Sequence, residues 1–193
     1  MKKKYIQDTS FENLDSSSEQ IILAEYESCT FKYCDFSNYN FSNFSFVDCE
    51  FNSCNLSLIA LDNTSFRNVK FKQCKMLGLH FEHCQEFNLS FSFENTQLNH
   101  SSFYKIKIKK TIFDQCQLYE CDFSESDLSN SAFKNCDLSG AIFDNTILEK
   151  VDLSSSSNYI IDPEKNRIKK AKFSLLGISG LLRKYDIEVL EEN

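Results

Sequence analysis

Nine cysteines, three histidines and several paired carboxylates are the residues of this 193-residue chain that could carry chemistry. Cys34, Cys54 and Cys74 recur at intervals of twenty. Stacked one β-rung apart, they would fall inside the Cα range of a disulfide. "HFEHC" (80–84) offers His80, His83 and Cys84, with Cys74 upstream, as zinc-type ligands. Asp122 and Glu125 could act as acid and base if a cavity desolvated one of them. No Gly-rich phosphate loop, G-x-S-x-G or H-E-x-x-H motif occurs in the sequence. Each of these chemistries depends on where the side chains point, so the elements that carry them come first.

"FKYCDFSNYNFSNFSFVDCEFNSCNL" (31–56) places a large apolar residue at every fifth position. An α-helix would space them by 3.6 and a strand by two. The period runs from Phe31 to Phe81 and again from Phe93 to Leu153, and it takes up most of the 19 Phe. The two registers are offset by two residues, with the slip inside "CQEFNLSFSF" (84–93). Two residues before each centre the side chain is mostly small or apolar, as at Cys34, Thr64, Val69, Ser101 and Ala141. The other three positions are rich in Ser, Asn, Asp, Glu, Lys and Gln. Positions i−2 and i of a short extended segment face the same way, and the two residues after i must turn the chain. One such unit cannot bury its Phe, whereas stacked coils share a continuous core. The pattern predicts a solenoid.

That phase decides the cysteines. All nine (29, 34, 49, 54, 74, 84, 116, 121 and 136) lie two residues before a centre, where a small apolar filler is needed. For Cys84 the matching centre is Glu86, so Phe87 is expected to fill the inward place at the slip. Free buried thiols are favoured over a redox staple. His80 and His83 are expected to face outward while the cysteines face inward, which argues against a zinc site. A flat convex wall offers the carboxylates no pocket. No metal, cofactor or catalytic role is expected, and the chain reads as a non-enzyme.

"CDFSESDLSNSAFKNCDLSGAIFDNT" (121–146) resembles the tandem motif of the pentapeptide-repeat proteins, approximately [small]-[D/N]-[L/F]-x-x. The resemblance implies an all-β fold: a right-handed, four-sided parallel β-helix with twenty residues per coil. It would stack Phe31, Phe51 and Phe71 in one column and Phe103, Phe123 and Phe143 in another. The expected divisions are an irregular opening coil over 1–28, the repeat body over 29–156, and a C-terminal part over 157–193. That last part would hold a surface excursion around Pro163, a last coil edge and a short capping or dimerisation helix.

The net charge of −7 is uneven. Residues 64–110 are basic, with Arg67, Lys70, Lys72, Lys75, Lys105, Lys107, Lys109 and Lys110, and residues 111–153 are acidic. Asp122, Glu125, Asp127, Asp137 and Asp144 read as an acidic belt that could contact a partner as DNA would. Solubility alone could also explain it. The ending "FSLLGISGLLRKYDIEVLEEN" places Leu175, Ile178, Leu181 and Leu182 at helical spacing, followed by Ile187 and Val189. It is similar to the ending of the quinolone-resistance (Qnr-type) branch. That likeness implies a homodimer through these residues and a type II topoisomerase (DNA gyrase or topoisomerase IV) as partner, with no direct nucleic-acid binding. The alternative is a scaffold for an unrelated protein, engaged through the basic middle coils. "MKKKYIQDTSFENLD" leads into no long apolar run and "IILA" is too short to span a membrane, so a cytoplasmic location without membrane attachment is expected.

Overall fold

The computed structural model describes residues 4–15, 21–188 and 190. Its strands are three or four residues long, because the chain can stay extended only until the next turn. They are β1 (Lys4–Gln7), β2 (Ser10–Glu12), β3 (Ala24–Glu27), β4 (Thr30–Lys32), β5 (Ser45–Val47) and β6 (Glu50–Asn52). After them come β7 (Ser65–Arg67), β8 (Val69–Lys72), β9 (Phe91–Glu94), β10 (Ile112–Asp114) and β11 (Ala132–Lys134). All pair in parallel with the coil above or below, in sheets ordered β1-β3-β5-β7 and β11-β10-β9-β8-β6-β4-β2. Partners such as Phe31↔Phe51 and Phe113↔Phe133 are twenty residues apart. β1 and β2 join these ladders, so the opening coil is stacked on the rest.

Left-handed backbone recurs at every fifth residue through most of the chain, for example at Asn38, Asn43, Asp48 and Ser53, with φ between 52° and 67°. Asn and Asp tolerate this region best because their short polar side chains bond locally. Gly78 and Gly140 occupy the same corner phase. Four corners per twenty residues make the right-handed, four-sided parallel β-helix that the repeat implied. Phe51 stacks on Phe31 at 4.6 Å and on Phe71 at 5.3 Å. Phe123 stacks on Phe103 at 4.9 Å and on Phe143 at 5.2 Å. Burying one Phe side chain contributes about 1.5–3 kcal/mol, and the columns repeat that gain at every coil.

The slip is a two-residue insertion on one side of the helix. The Gln85 amide still bonds Thr64 O, the Ser90 amide bonds Phe66 O, and Val69 pairs with Phe91, twenty-two residues on. The extra residues lie within 86–89, directly over β7, and the four-stranded sheet ends there. The expectation for Phe87 is overturned, since it is 78% exposed and Leu89 takes the inward place. Alternation in β9 turns Phe91 and Phe93 inward, so Leu89 follows them in and Phe87 is carried out on the bulge.

Near the other end, segment 157–167 contributes Tyr159 and Ile161 to the core. The coil count is preserved, with Asp152 bridging Lys172. The C-terminal segment then docks on Tyr159 as a 3-10 turn (Leu176–Ile178), the short helix α1 (Ser179–Leu182) and a second 3-10 turn (Arg183–Tyr185). Gly177 and Gly180 make that approach possible. A Cβ at Gly180 would lie 2.1 Å from Tyr159 O, and one at Gly177 would lie 1.8 Å from the Tyr159 hydroxyl. The Ile161 amide bonds Gly180 O, and Lys184 bridges Asp162 and Glu164 at 2.7 Å each. Among the described residues no helix is long and apolar enough to cross a membrane.

Candidate partner-binding surface

The inner wall accounts for the residues that first looked chemical. At many i−2 positions held by Cys, Ser or Thr, the side chain donates to the carbonyl of a centre residue one coil back. Cys54 Sγ bonds Phe31 O at 3.4 Å, Thr64 Oγ1 bonds Phe41 O at 2.7 Å, and Ser131 Oγ bonds Ile108 O at 3.1 Å. Cys, Ser and Thr are interchangeable there because each is small and carries one donor. Size alone suggested this position from the sequence, and the donor role emerges only once coils are stacked. All nine cysteines are buried and free. Burial pushes the Cys49 and Cys121 thiols up to about 12, which keeps them protonated and unreactive.

The histidines do lie outside. The His80 and His83 rings stack at 5.5 Å, with His80 Nδ1 3.0 Å from Glu82 and His83 Nδ1 3.5 Å from Asp62. His100 faces Glu120 at 3.2 Å. No group of three or more metal-binding side chains converges among the described residues.

Outward carboxylates at i−1 shape the corners. Asp122 Oδ1 accepts from the Ser124 amide at 2.8 Å, and Asp137 Oδ1 accepts from the Ser139 amide at 3.0 Å and its hydroxyl at 2.7 Å. The same turn forms at Asp35, Asp127 and Asp152. Part of the acidity of the chain is therefore turn chemistry. Hydrogen bonds from Asn158 and Ser139 hold Asp137 below the usual carboxylate range, and the bond from Ser154 does so at Asp152.

The five sequence-picked acids do not share a surface. We number the sides by their centres: Phe46, Phe51, Leu56 and Leu61 lie on the first, second, third and fourth. Asp122 and Asp144 are on the fourth side, and Glu125 is at its corner with the first. Asp127 is buried on the first side, where Lys109 reaches it at 3.0 Å. Burial opposes its ionisation, but bonds from Ser129 and Lys109 outweigh that and keep it low. Asp137 is on the third side. Glu125 and Asp144 are paired with Lys105 at 3.4 Å and Lys165 at 3.6 Å.

Stacking does assemble a different acidic surface. Asp62, Glu82, Asp122, Asp144, Asp162 and Glu164 rise along the fourth side, and no Lys or Arg occupies an outward place between its corners. Lys184 of the docked C-terminal segment reaches over the last of these coils. The first side carries the opposite charge beyond the bulge. There Lys107, Lys109, Arg167 and Lys169 flank inward Ile108 and Ile168, with Lys110, Lys150 and Lys170 at the corner. Charge summed along segments hid this division. Adding it up in columns of twenty, with the two-residue step at the bulge, would have revealed it.

At the C-terminal end Leu175, Ile178 and Ile187 are exposed, Leu182 is half-buried, and Leu181 packs against the core. Val189 lies outside the described residues. Leu176 and Leu190, absent from the sequence-picked set, are 82% and 83% exposed. A groove of about 790 Å³ runs beside them, between Ser154–Ser157 and Gly177–Arg183, with Tyr159 in its wall.

A solved structure of a trypsin-treated variant of QnrB1, described as a plasmid-mediated fluoroquinolone resistance protein, aligns with a TM-score of 0.60 at 22% identity. The alignment covers 97% of this chain and 92% of that one. HetL, a pentapeptide repeat protein involved in heterocyst differentiation regulation in Nostoc sp. strain PCC 7120, aligns at 12% identity over 88% of this chain and 86% of its own, with a TM-score of 0.41. No curated protein sequence matches. The family model for the pentapeptide repeat region matches residues 24–92 and 89–159. With the five-residue corners and twenty-residue register, this places the chain in the pentapeptide-repeat family.

Proposed function

We propose that this protein is a non-enzymatic rod that binds a type II topoisomerase, DNA gyrase or topoisomerase IV, by presenting a DNA-like acidic side. The observation that carries the reading is the fourth side, with six carboxylates and no outward Lys or Arg between its corners. Coils about 4.8 Å apart give roughly one carboxylate per 4–5 Å, somewhat sparser than the one charge per 3.4 Å of a single DNA strand. Lys184 offsets part of this charge at the C-terminal end, so the contact centres on Asp62 to Asp144. A saddle built to hold DNA attracts such a side by the same long-range field. The fold is shared with QnrB1, itself a fluoroquinolone resistance protein. On this reading the rod protects the enzyme from quinolones, and Asp122 and Asp144 are the sequence-picked acids that remain in the contact. Glu125 guards its edge, while Asp127 and Asp137 act through turn geometry.

A homodimer through Leu175, Ile178 and Ile187, extended by Leu176, fits the exposed apolar end, since such residues clustered at one place mark an interface. Leu181 instead closes the core, so Leu175→Lys with Leu176→Lys is the sounder test. That pair is expected to run as a monomer on a sizing column, and persistence of a dimer removes this contact.

Titration into gyrase supercoiling with and without a quinolone tests the function. Wild-type protein is expected to alter activity or drug sensitivity at micromolar concentration. Asp62→Asn, Asp122→Asn and Asp144→Asn together should weaken the effect at least tenfold. No effect of the wild type ends the reading. The scaffold reading then gains, supported by the ion pairs that already engage Glu125, Asp127 and Asp144.

A further inference from the structure

The first side of the C-terminal half holds a surface that topoisomerase binding leaves unused. Lys107, Lys110, Lys150, Arg167, Lys169 and Lys170 are exposed on it or at its corner, and none has a carboxylate partner among the described residues. The carboxylates on this side are Asp127, held by Lys109, Glu149, and Glu86 on the bulge beside Phe87. Such unpaired cations keep the compact state under self-repulsion unless a counter-charge binds. At the end of this wall nearest the N-terminus, the 86–89 bulge presents Phe87, 78% exposed although nearly every other Phe is inward.

We propose that this wall binds single-stranded nucleic acid, with the lysines and Arg167 on its phosphates and Phe87 as a platform for one base. Three extended residues make the wall about 10 Å wide, and three coil steps from Lys107 to Arg167 make it about 15 Å long. That fits one phosphate strand. A duplex separates its strands across grooves of about 6 and 12 Å, so its second strand would meet Asp122, Asp144, Asp162 and Glu164 round the corner. Lysine point charges suit sequence-independent phosphate contact, and a protruding aromatic ring suits a base face, which an acidic polypeptide lacks. This departs from the expectation of no direct nucleic-acid binding, because the net charge of −7 conceals the wall.

The test is fluorescence anisotropy of labelled oligothymidylate with the full chain, with no topoisomerase present, so the result is independent of the preceding proposal. Binding is expected at about 50 mM salt and to fall steeply towards 200 mM, with a log–log slope near −3, since one strand along about 15 Å places about four phosphates on the wall. Lys107→Glu, Arg167→Glu and Lys170→Glu together should weaken it at least tenfold, and Phe87→Ala several-fold. All four positions are exposed, so thermal melting of these variants should match wild type. Absence of binding at 50 mM salt overturns the proposal, as does an undiminished affinity in the charge-reversed variant. Equal affinity for duplex, or equal competition by polyglutamate at matched charge, overturns it in favour of a general polyanion surface.

Discussion

The repeat body and the C-terminal segment bury apolar surface in opposite ways. In the body the coils repeat the same contacts, with an inward Phe or Leu stacked on its neighbours and, at many i−2 positions held by Cys, Ser or Thr, a bond to the carbonyl one coil back. Stability is spread along the rod, and outward positions are free to carry any charge. The C-terminal segment has no coil above it. It closes the end by a close approach at Gly177 and Gly180, with Leu181 on the core and Lys184 on Asp162 and Glu164, and leaves Leu175 and Leu176 in water. A change in the periodic core is felt by the rings stacked on it, whereas a change at the two glycines falls on the cap.

The largest expected effect falls in the body. Phe123→Ala removes a ring that stacks on both Phe103 and Phe143, and should cost about 3–5 kcal/mol in urea denaturation. A loss below about 1 kcal/mol would show that the column is not the source of stability.

Gly180→Ala strikes the cap. Its Cβ would press on Tyr159 O, so the segment should undock at a cost of about 1–3 kcal/mol. Hydrogen exchange should rise over 174–188 while the coils below Phe143 stay protected. Uniform loss of protection would mean that cap and body are one cooperative unit.

A smaller change sharpens the account of the inner wall. Thr64→Val keeps the shape but deletes the bond to Phe41 O, and should cost about 1 kcal/mol. A stabilised variant would leave size as the only requirement at i−2. Thiol titration gives a companion readout, with nine reactive thiols in denaturant and essentially none in the folded protein.

The smallest effect is set by pH. Asp137 and Asp152 titrate below the ordinary value of 3.8 when folded. Their contribution is therefore complete above the unfolded value and is lost as pH falls through the folded ones. The urea midpoint should hold steady from pH 7 to about 4 and then decline. A midpoint unchanged down to pH 2 would remove the corner carboxylates from the account.

The five-residue period was legible in the sequence because burial at i and i−2 repeats locally, and so were the inward cysteines and the outward histidines, whereas the twenty-residue columns came from the family resemblance. The Phe87 bulge was misplaced because a two-residue insertion leaves strand alternation intact and gives no local sign of which residue is expelled. The close approach of Gly177 and Gly180 to Tyr159 is invisible along the chain. The acidic residues of the C-terminal coils were recognised and read as a belt, and the column that extends to Asp62, Glu82, Asp162 and Glu164 was not seen.

Outside the bulge, the sequence by itself determined which side chains point inward, since that depends only on residues two and five apart. Only the tertiary structure decided which outward charges share a side. That grouping joins residues twenty or twenty-two positions apart, and a two-residue bulge sets its register.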